Sequence, residues 1–210
     1  ILFQEAFSRR IRKKIYSKLK VKYPSQIEPD IKIHLLKTNS GLWAISKWPI
    51  TLLEGVNFSQ SKEWDKMASK GAKLVSLHLG QQEFHFINTH LQADSEVDYG
   101  DIRESQYLEI KNKLISPNVD QLYPLFLCGD LNIFKIGKLN HLMKKLNLKN
   151  GPLSGKIQFS TQQNKHLLDY ILENSSPFKF NSIERNIQLF SVDLNFNPYK
   201  YSDHLAIEAV

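Results

Sequence analysis

The stretch LFLCGDLNIF, Leu125 to Phe134, constrains the fold more than any other part of this sequence. Its apolar run is typical of a buried strand. The run ends in Asp130 and Asn132, two residues apart and behind a glycine. Side chains two apart face the same side of a strand, so we expect both polar groups to point together at its carboxyl end. The alternative is a plain strand-to-turn transition, because Gly, Asp and Asn all favour turns.

Three other stretches also place polar groups beside or within apolar runs. FINTHLQA carries His90, LLDYIL encloses Asp169, and YSDHLAIEAV places Asp203 and His204 just before the last apolar segment. An unpaired buried carboxylate is costly, so we expect Asp169 to orient and charge an imidazole. A lone histidine beside an apolar face is most often structural. The four stretches together nevertheless indicate metal-assisted attack of water on a phosphodiester.

Short strand patterns outnumber helical patterns along the chain. Many β-rich segments with peripheral helices indicate an α/β sandwich, and no internal repeat or low-complexity linker divides it. The predicted strands are Ile31–Leu36, Leu42–Ser46, Ala72–Leu79, Phe84–His90, Pro124–Leu131, Leu167–Leu172, Gln188–Val192 and Leu205–Val210. The predicted helices are Phe7–Lys20, Ile102–Leu114 and Gly137–Leu146.

Length and composition set outer limits. A chain of 210 residues suits one domain with a sizeable core. A single cysteine, Cys128, excludes an internal disulfide framework. No apolar run approaches the roughly 20 residues of a membrane-spanning helix, and no signal peptide is visible.

The net charge of +7 is concentrated in the segment Phe7–Lys22, which holds eight basic residues and no acidic one. Phe7, Ile11, Ile15 and Leu19 recur every four residues, which predicts a helix docked through that apolar stripe and ended by Pro24. The basic face is either an ordinary solvated surface or a site of attraction to an anionic membrane or nucleic acid.

Five motifs occur in the order found in a known superfamily: QE at Gln4–Glu5, THLQA, GDLN, LDYIL and SDH. In this respect the chain resembles the endonuclease/exonuclease/phosphatase superfamily, which has the DNase I-like fold. The resemblance implies a four-layer α/β sandwich, two mixed sheets flanked by helices, with the active site at one rim. It implies a single catalytic domain over residues 1–210 that lacks its first strand, on which family members carry a metal-binding Asn.

Further segments resemble the neutral sphingomyelinase branch. They are the Gln-Ala extension of THLQA, SGLWAISKWPI at Ser40–Ile50, WDKMASKGAKLVSL at Trp64–Leu77 and RESQYLEI at Arg103–Ile110. This branch hydrolyses sphingomyelin to ceramide and phosphocholine. The resemblance therefore implies a phospholipid substrate at a membrane surface, a secreted or membrane-peripheral location, and a monomer.

The resemblance also implies residue roles. Glu5 binds Mg²⁺, or Mn²⁺ in its place; His204, backed by Asp169, is the general base; Asp203 supports the metal or His204. Asp130 and Asn132 position water and stabilise the pentavalent phosphorus, although nuclease branches often give the base role to the Asp. His90 donates to a phosphoryl oxygen, and Asp65 and Lys70 form a pair linked to substrate engagement, unless they are ordinary surface charges.

The sequence departs from the secreted bacterial members in one segment. VDLNFNPYKYSDH, Val192–His204, offers only Phe196, Tyr199 and Tyr201 where those proteins often carry an aromatic-tipped hairpin. The basic helix is the electrostatic substitute that we expect for such a hairpin. Two alternatives stay open: a DNase I-like or exonuclease III-like nuclease, and an inactive superfamily member that acts as a binding module. The acidic stretch Asp94–Glu104 would repel a polyanion if it rims the site.

Overall fold

The structure is a computed structural model that describes residues 1–30, 38–119, 122–161, 165–174, 180, 182–188 and 202–210. Within these residues, no helix combines the length and the apolar character that crossing a bilayer requires. The strands are β1 Leu2–Phe3, β2 Ser25–Ile27, β3 Trp43–Ser46, β4 Ile50–Asn57, β5 Gly71–Leu79, β6 Gln82–His90, β7 Leu125–Asp130, β8 Leu153–Ser154, β9 Asp169–Asn174, β10 Arg185–Gln188 and β11 Ala206–Ala209.

A mixed five-stranded sheet in the order β4-β5-β6-β7-β9 forms the centre of the protein. Strands β6 and β7 are parallel, and the other neighbours are antiparallel. All six residues of β7 are buried, as its apolar run predicts. Because parallel strands end at the same edge, His90 and Asp130 become register partners, and Asp130 also pairs with Asp169 at the start of β9. We call this edge the catalytic rim.

The helices and a 3₁₀ turn complete the described secondary structure. They are α1 Arg9–Leu19, the 3₁₀ helix Glu63–Met67, α2 Gly100–Glu109, a π-helical continuation Ile110–Ile115, α3 Ser116–Asn118 and α4 Ile136–Leu146. Leu74 of β5, Ile110 and Leu142 belong to one buried cluster, which joins α2 and α4 to one face of the central sheet.

The opposite face of the central sheet packs on a second sheet, β1-β3-β2. Val75, whose side chain points away from that of Leu74, clusters with Ala44 and Ile27. Helix α1 covers the outside of this second sheet, where Tyr16 meets Trp43 edge-on. The layers are therefore helix, sheet, sheet and helix, which confirms the predicted four-layer sandwich. A third set of strands, β11-β10-β8, is also mixed.

Most predicted elements are present with shifted ends. The predicted strand Ile31–Leu36 and residues 189–192 of another lie outside the described residues. Strand β4 was not predicted. It is a mostly exposed edge strand with an irregularity between Leu52 and Glu54, so it shows no apolar alternation.

The predicted apolar stripe of the first helix is wrong at one position. Ile11 is 59% exposed, whereas Arg12 is only 4% exposed. The Arg12 guanidinium donates to Glu28 at 2.7 Å and to the carbonyls of Ala6 and Phe7. Because the Arg12 side chain satisfies its donors in this way, the helix turns the face of Arg12 inward. The hydrophobic periodicity indicates a different face. Helix α1 ends at Leu19, within one residue of the predicted end at Lys20 and before Pro24.

Candidate active site

The ends of three strands bring most of the predicted site residues together. His90 ends β6, Asp130 ends β7, and Asp169 begins β9. A bridge between Thr161 and His204 carries the SDH segment to the same rim. Residues that are distant in sequence thereby form one row. The motifs predicted these residues as a group but not their arrangement in space.

His204 and Asp169 form the expected imidazole–carboxylate pair. The Nδ1 atom of His204 lies 2.8 Å from Oδ2 of Asp169. This hydrogen bond, with the charges of Asp169, Asp130 and Asp203, raises the pKa of His204 to about 9 against an opposing effect of burial. The pair leaves Nε2 of His204 as the ring atom that is available to a reactant.

Ser160 positions both members of that pair, and the sequence analysis missed it. Its hydroxyl accepts from the backbone N–H groups of Leu168 and Asp169, and its carbonyl accepts from the N–H of Leu205. The side chain is fully buried. A serine in the polar stretch before LLDYIL carries no motif, so nothing in the sequence distinguished it.

Asp130 is the buried carboxylate at the centre of the row. Its Oδ2 lies 3.4 Å from Nε2 of His90 and 3.9 Å from Nε2 of His204. Burial raises the pKa of Asp130 to about 7, and the charge of Asp169 adds to the increase. A carboxyl group that titrates near neutrality beside an imidazole is able to exchange a proton with it.

Asn132 reaches the site by a different route than predicted. Strand β7 ends at Asp130, and Asn132 lies in a turn with a left-handed φ of 51°. Its backbone N–H donates to Oδ1 of Asp130 at 2.8 Å, and its side-chain amide donates to the carbonyl of Leu91 at 3.0 Å. The expectation that strand alternation aligns the two side chains is wrong; a turn hydrogen bond joins them instead.

Lys70 links the predicted Asp65–Lys70 pair directly to His90. The buried ammonium lies 2.9 Å from Asp65, 3.0 Å from Nε2 of His90 and 3.0 Å from the carbonyl of Leu91. Asp65 also accepts from the N–H of Ala93. The two residues are therefore a buried structural link rather than ordinary surface charges.

The 3.0 Å contact with Lys70 favours one tautomer of His90, and the opposing contact at the same Nε2 atom is the longer 3.4 Å approach of Asp130 Oδ2. An ammonium group only donates, so Nε2 accepts and Nδ1 carries the proton. Burial lowers the pKa of His90 well below its usual range, and the charges of Lys70 and His204 lower it further. A neutral His90 thus presents an N–H donor on the side that faces Glu5, whose Oε1 lies 4.0 Å from Nδ1.

Glu5 follows β1 and is held near His90 by Asn88. The Asn88 side chain accepts from Gln4 at 2.7 Å and donates to the carbonyl of Phe3 at 3.1 Å. The Glu5 side chain is 66% exposed, and its φ is 56°. Its carboxylate therefore faces solvent beside the rim, where it is accessible to a ligand.

The rim offers donors that suit a hard cation. One ligand atom each from Asp130, Asp169 and His204 lies within 4.8 Å of the others. The carboxylate of Glu5 approaches the same row through His90. Carboxylate oxygens are the ligands that Mg²⁺ and Mn²⁺ prefer, so the chemistry of this donor set fits a divalent cation. Asp203 is exposed, and the structure brings only its charge to His204.

The acidic stretch does rim the site, but its charges are largely paired. Arg103 donates to Asp94 at 2.6 Å and lies 3.2 Å from Asp98. Lys135 and Lys138 also contact Asp98. The repulsion of a polyanion that we expected from this stretch is therefore weaker than its sequence indicates.

Known proteins share this architecture. A sphingomyelinase C from Leptospira interrogans is 27% identical over 208 residues, which cover 85% of this chain and 37% of that protein. The chain thus spans little more than a third of that relative's length. A crystal structure of beta toxin 275–280 from Staphylococcus aureus has a TM-score of 0.86 at 22% identity, covering 100% of this chain and 85% of the other. A second beta toxin structure, with bound magnesium ions, has a TM-score of 0.85 at 20% identity over 99% and 84%.

A family match agrees with these similarities. Residues 39–180, more than half of the chain, match the family described as Endonuclease/Exonuclease/phosphatase family 2. The matched span contains His90, Asp130, Asn132 and Asp169 of the rim. The chain belongs to the endonuclease/exonuclease/phosphatase superfamily.

Proposed function

We propose that this chain hydrolyses the phosphodiester of sphingomyelin, or of a related choline phospholipid, to release phosphocholine and, from sphingomyelin, ceramide. The observation that carries the proposal is the contiguous row of His90, Asp130, Asp169 and His204 at one rim. The names of the similar proteins, sphingomyelinase C and phospholipase C, support the choice of substrate.

In its neutral form, which is the minor form at neutral pH because the pKa of His204 is raised to about 9, His204 is the group that accepts a proton from the attacking water. The oxygen of that water forms the new bond to phosphorus, and the bond from phosphorus to the ceramide oxygen breaks. Asp169 stabilises the imidazolium that forms, because its carboxylate accepts the Nδ1–H bond. The departing ceramide oxygen takes up one proton, so that phosphocholine and ceramide are the products.

The remaining rim residues orient the phosphoryl group and the water. The Nδ1–H of His90 donates to a phosphoryl oxygen, and Lys70 and Asp65 hold the ring in that tautomer. Asp130 and Asn132, joined by their turn hydrogen bond, orient the water and the pentavalent centre. Donors that are fixed before the reaction stabilise developing charge without reorganisation.

Glu5 is the residue that would hold a catalytic Mg²⁺, with Mn²⁺ as the substitute, and Asp203 would support it. When bound there, such a cation would supply positive charge to the phosphoryl group and the leaving oxygen. The exposed carboxylate of Glu5 beside neutral His90 supports this assignment, as does the magnesium in the similar beta toxin structure.

The decisive experiment compares two substrates. The native protein, with Mg²⁺ or with EDTA, is added to sphingomyelin vesicles and to plasmid DNA, and phosphocholine and DNA nicking are measured. We expect Mg²⁺-dependent phosphocholine release that falls by at least about a thousandfold in His204→Ala. His141→Ala is the matched control, because His141 lies exposed on α4.

Two outcomes would contradict the proposal. Nicked DNA with intact lipid would assign the chain to a nuclease branch of the same superfamily. Inactivity on both substrates, in a protein that binds Mg²⁺ and is folded, would favour the inactive binding module.

A further inference from the structure

The catalytic rim carries several exposed large apolar side chains. Trp64 is 82% exposed, more than the other exposed aromatic side chains, Trp48 and Phe134, of the part of the chain that the structure describes. Four further large apolar residues at the rim are also exposed. We call the set the apolar collar. It comprises Trp64, Met67, Val97, Phe134 and Ile136.

The collar residues lie around the ends of the strands that hold the catalytic groups. Trp64 and Met67 belong to the 3₁₀ helix before β5, whose first residue, Gly71, lies at the rim. Val97 follows β6 and His90. Phe134 and Ile136 follow β7 and Asp130. A surface that contacts all five would therefore cover the mouth of the site.

Hydrogen bonds join the three loops that carry the collar. Glu63 accepts from the hydroxyls of Ser95 and Tyr99, both at 2.9 Å. Lys135 lies 3.3 Å from Asp98, and Lys138 also donates to Asp98. These contacts connect the 3₁₀ helix to the loop after β6, and that loop to the start of α4. The apolar groups are thus presented by one cross-linked surface.

The charges of the same surface are mixed: the exposed Glu63 and Glu96 take part in no ion pair within the described residues, and neither do two lysines that flank Trp64. Asp65 and Asp94 are paired with Lys70 and Arg103. The exposed side chains of Lys62 and Lys66, which flank Trp64, take part in no ion pair within the described residues. Unpaired cations on both sides of an exposed tryptophan are typical of groups that sit at the level of lipid headgroups, with the cations on the phosphates.

We propose that the apolar collar, with Lys62 and Lys66, is the surface through which the protein binds a phospholipid bilayer. Trp64 and its apolar neighbours enter the headgroup region, and the lysines contact lipid phosphates. The benefit to catalysis rests on the proposed lipid hydrolysis, because a collar around the rim places the catalytic row against its substrate. Binding itself requires no turnover.

The test measures binding and hydrolysis separately. Binding to vesicles of sphingomyelin, phosphatidylcholine and phosphatidylserine is measured by sedimentation in EDTA, and hydrolysis is then measured with Mg²⁺ on vesicles and on a water-soluble phosphocholine ester. Trp64→Ala should weaken binding roughly tenfold, because it removes the largest apolar group of the collar. Vesicle hydrolysis should fall in parallel, whereas hydrolysis of the soluble ester should stay within about twofold.

Trp48→Ala is the matched control. Trp48 is 44% exposed, but it lies between β3 and β4 at the end of the sheets opposite the rim, so binding should not change. Lys62→Glu with Lys66→Glu should weaken binding roughly tenfold on vesicles that contain phosphatidylserine.

Three results would overturn the inference. One is unchanged vesicle binding in Trp64→Ala, even if the wild-type protein hydrolyses lipid. Another is an equal loss of binding in Trp48→Ala. The third is a wild-type protein that self-associates through Trp64 in sedimentation velocity and leaves vesicles unbound. Loss of binding in Trp64→Ala without any lipid hydrolysis by the wild type would leave the inference standing and remove the proposed function.

Discussion

Gly129 shows how a single residue controls the geometry of the rim. Its φ is 136°, and a Cβ atom at this position would lie 2.0 Å from the carbonyl oxygen of Thr89. Only a residue without a side chain lets β7 approach β6 closely enough at this point. The glycine before Asp130 is therefore needed for the contact between Asp130 and His90.

Gly129→Ala should destabilise the protein by about 3 kcal/mol or more. The neighbouring atom is the backbone carbonyl oxygen of Thr89, which cannot move away by a change of rotamer. Chemical denaturation measures the effect. Gly137→Ala is the control, since its Cβ would have no atom within 4 Å and it lies in α4. Because Gly137 is the second residue of α4 rather than a central one, that substitution should stabilise the protein by no more than about 0.5 kcal/mol. Equal effects of the two substitutions would contradict the close approach of β6 and β7.

At the scale of elements, the first helix shows where periodicity failed. Its apolar spacing predicted a helix correctly, but the buried position is Arg12 rather than Ile11. The guanidinium binds Glu28, which lies beyond the helix in the chain. A hydrophobic pattern treats every arginine as polar surface, so only the tertiary partner reveals which face is buried.

The contact between Lys138 on α4 and Asp98 in the loop after β6 gives a prediction about pH. The hydrogen bond from Lys138 is the main cause that lowers the pKa of Asp98 to about 2, from an ordinary value of 3.8. Lys138→Gln should raise this pKa toward 3.8, as measured by the carboxyl carbon shift during an acid titration. An unchanged titration would show that the link is absent in solution.

The same link has a defined effect on stability. In the folded state the pKa of Asp98 lies below its ordinary value. The stability that the contact with Lys138 contributes is therefore present above about pH 3.8 and is lost as the pH falls through about 2. Both side chains are more than a third exposed, so water and salt screen the pair, and we expect less than about 1 kcal/mol. The difference between wild type and Lys138→Gln should therefore shrink in acid and in high salt.

At the scale of the whole molecule, the order of motifs predicted the sandwich correctly, and the membership of the site stays a prediction. The sequence patterns placed His90 and Asp130 at strand ends but Asp169 inside a strand, whereas β9 begins at Asp169. The parallel pairing of β6 with β7 and the antiparallel pairing of β7 with β9 bring the three residues together. Ser160 could not be predicted, because it acts through backbone contacts that no motif records. The apolar collar likewise depends on which loops meet in space.

The cationic end of helix α1 and the apolar collar lie at opposite ends of the molecule. Helix α1 starts beside Glu5 at the rim and ends near Tyr23, whose ring lies under the ammonium groups of Lys22 and Lys47. Because Ser25 pairs with Ser46, this end of the helix lies at the far end of β3 from the rim. A protein docked through these cations would hold its catalytic rim away from the surface.

Charge reversal at this end of α1 should therefore leave lipid hydrolysis nearly unchanged. Lys20→Glu with Lys22→Glu changes the net charge by the same amount as Lys62→Glu with Lys66→Glu, and all four side chains are exposed. We expect less than a roughly twofold change in vesicle hydrolysis for the helix pair and a several-fold loss for the rim pair, measured on vesicles with phosphatidylserine. A larger loss for the helix pair would mean that the basic helix, rather than the collar, brings this protein to its substrate.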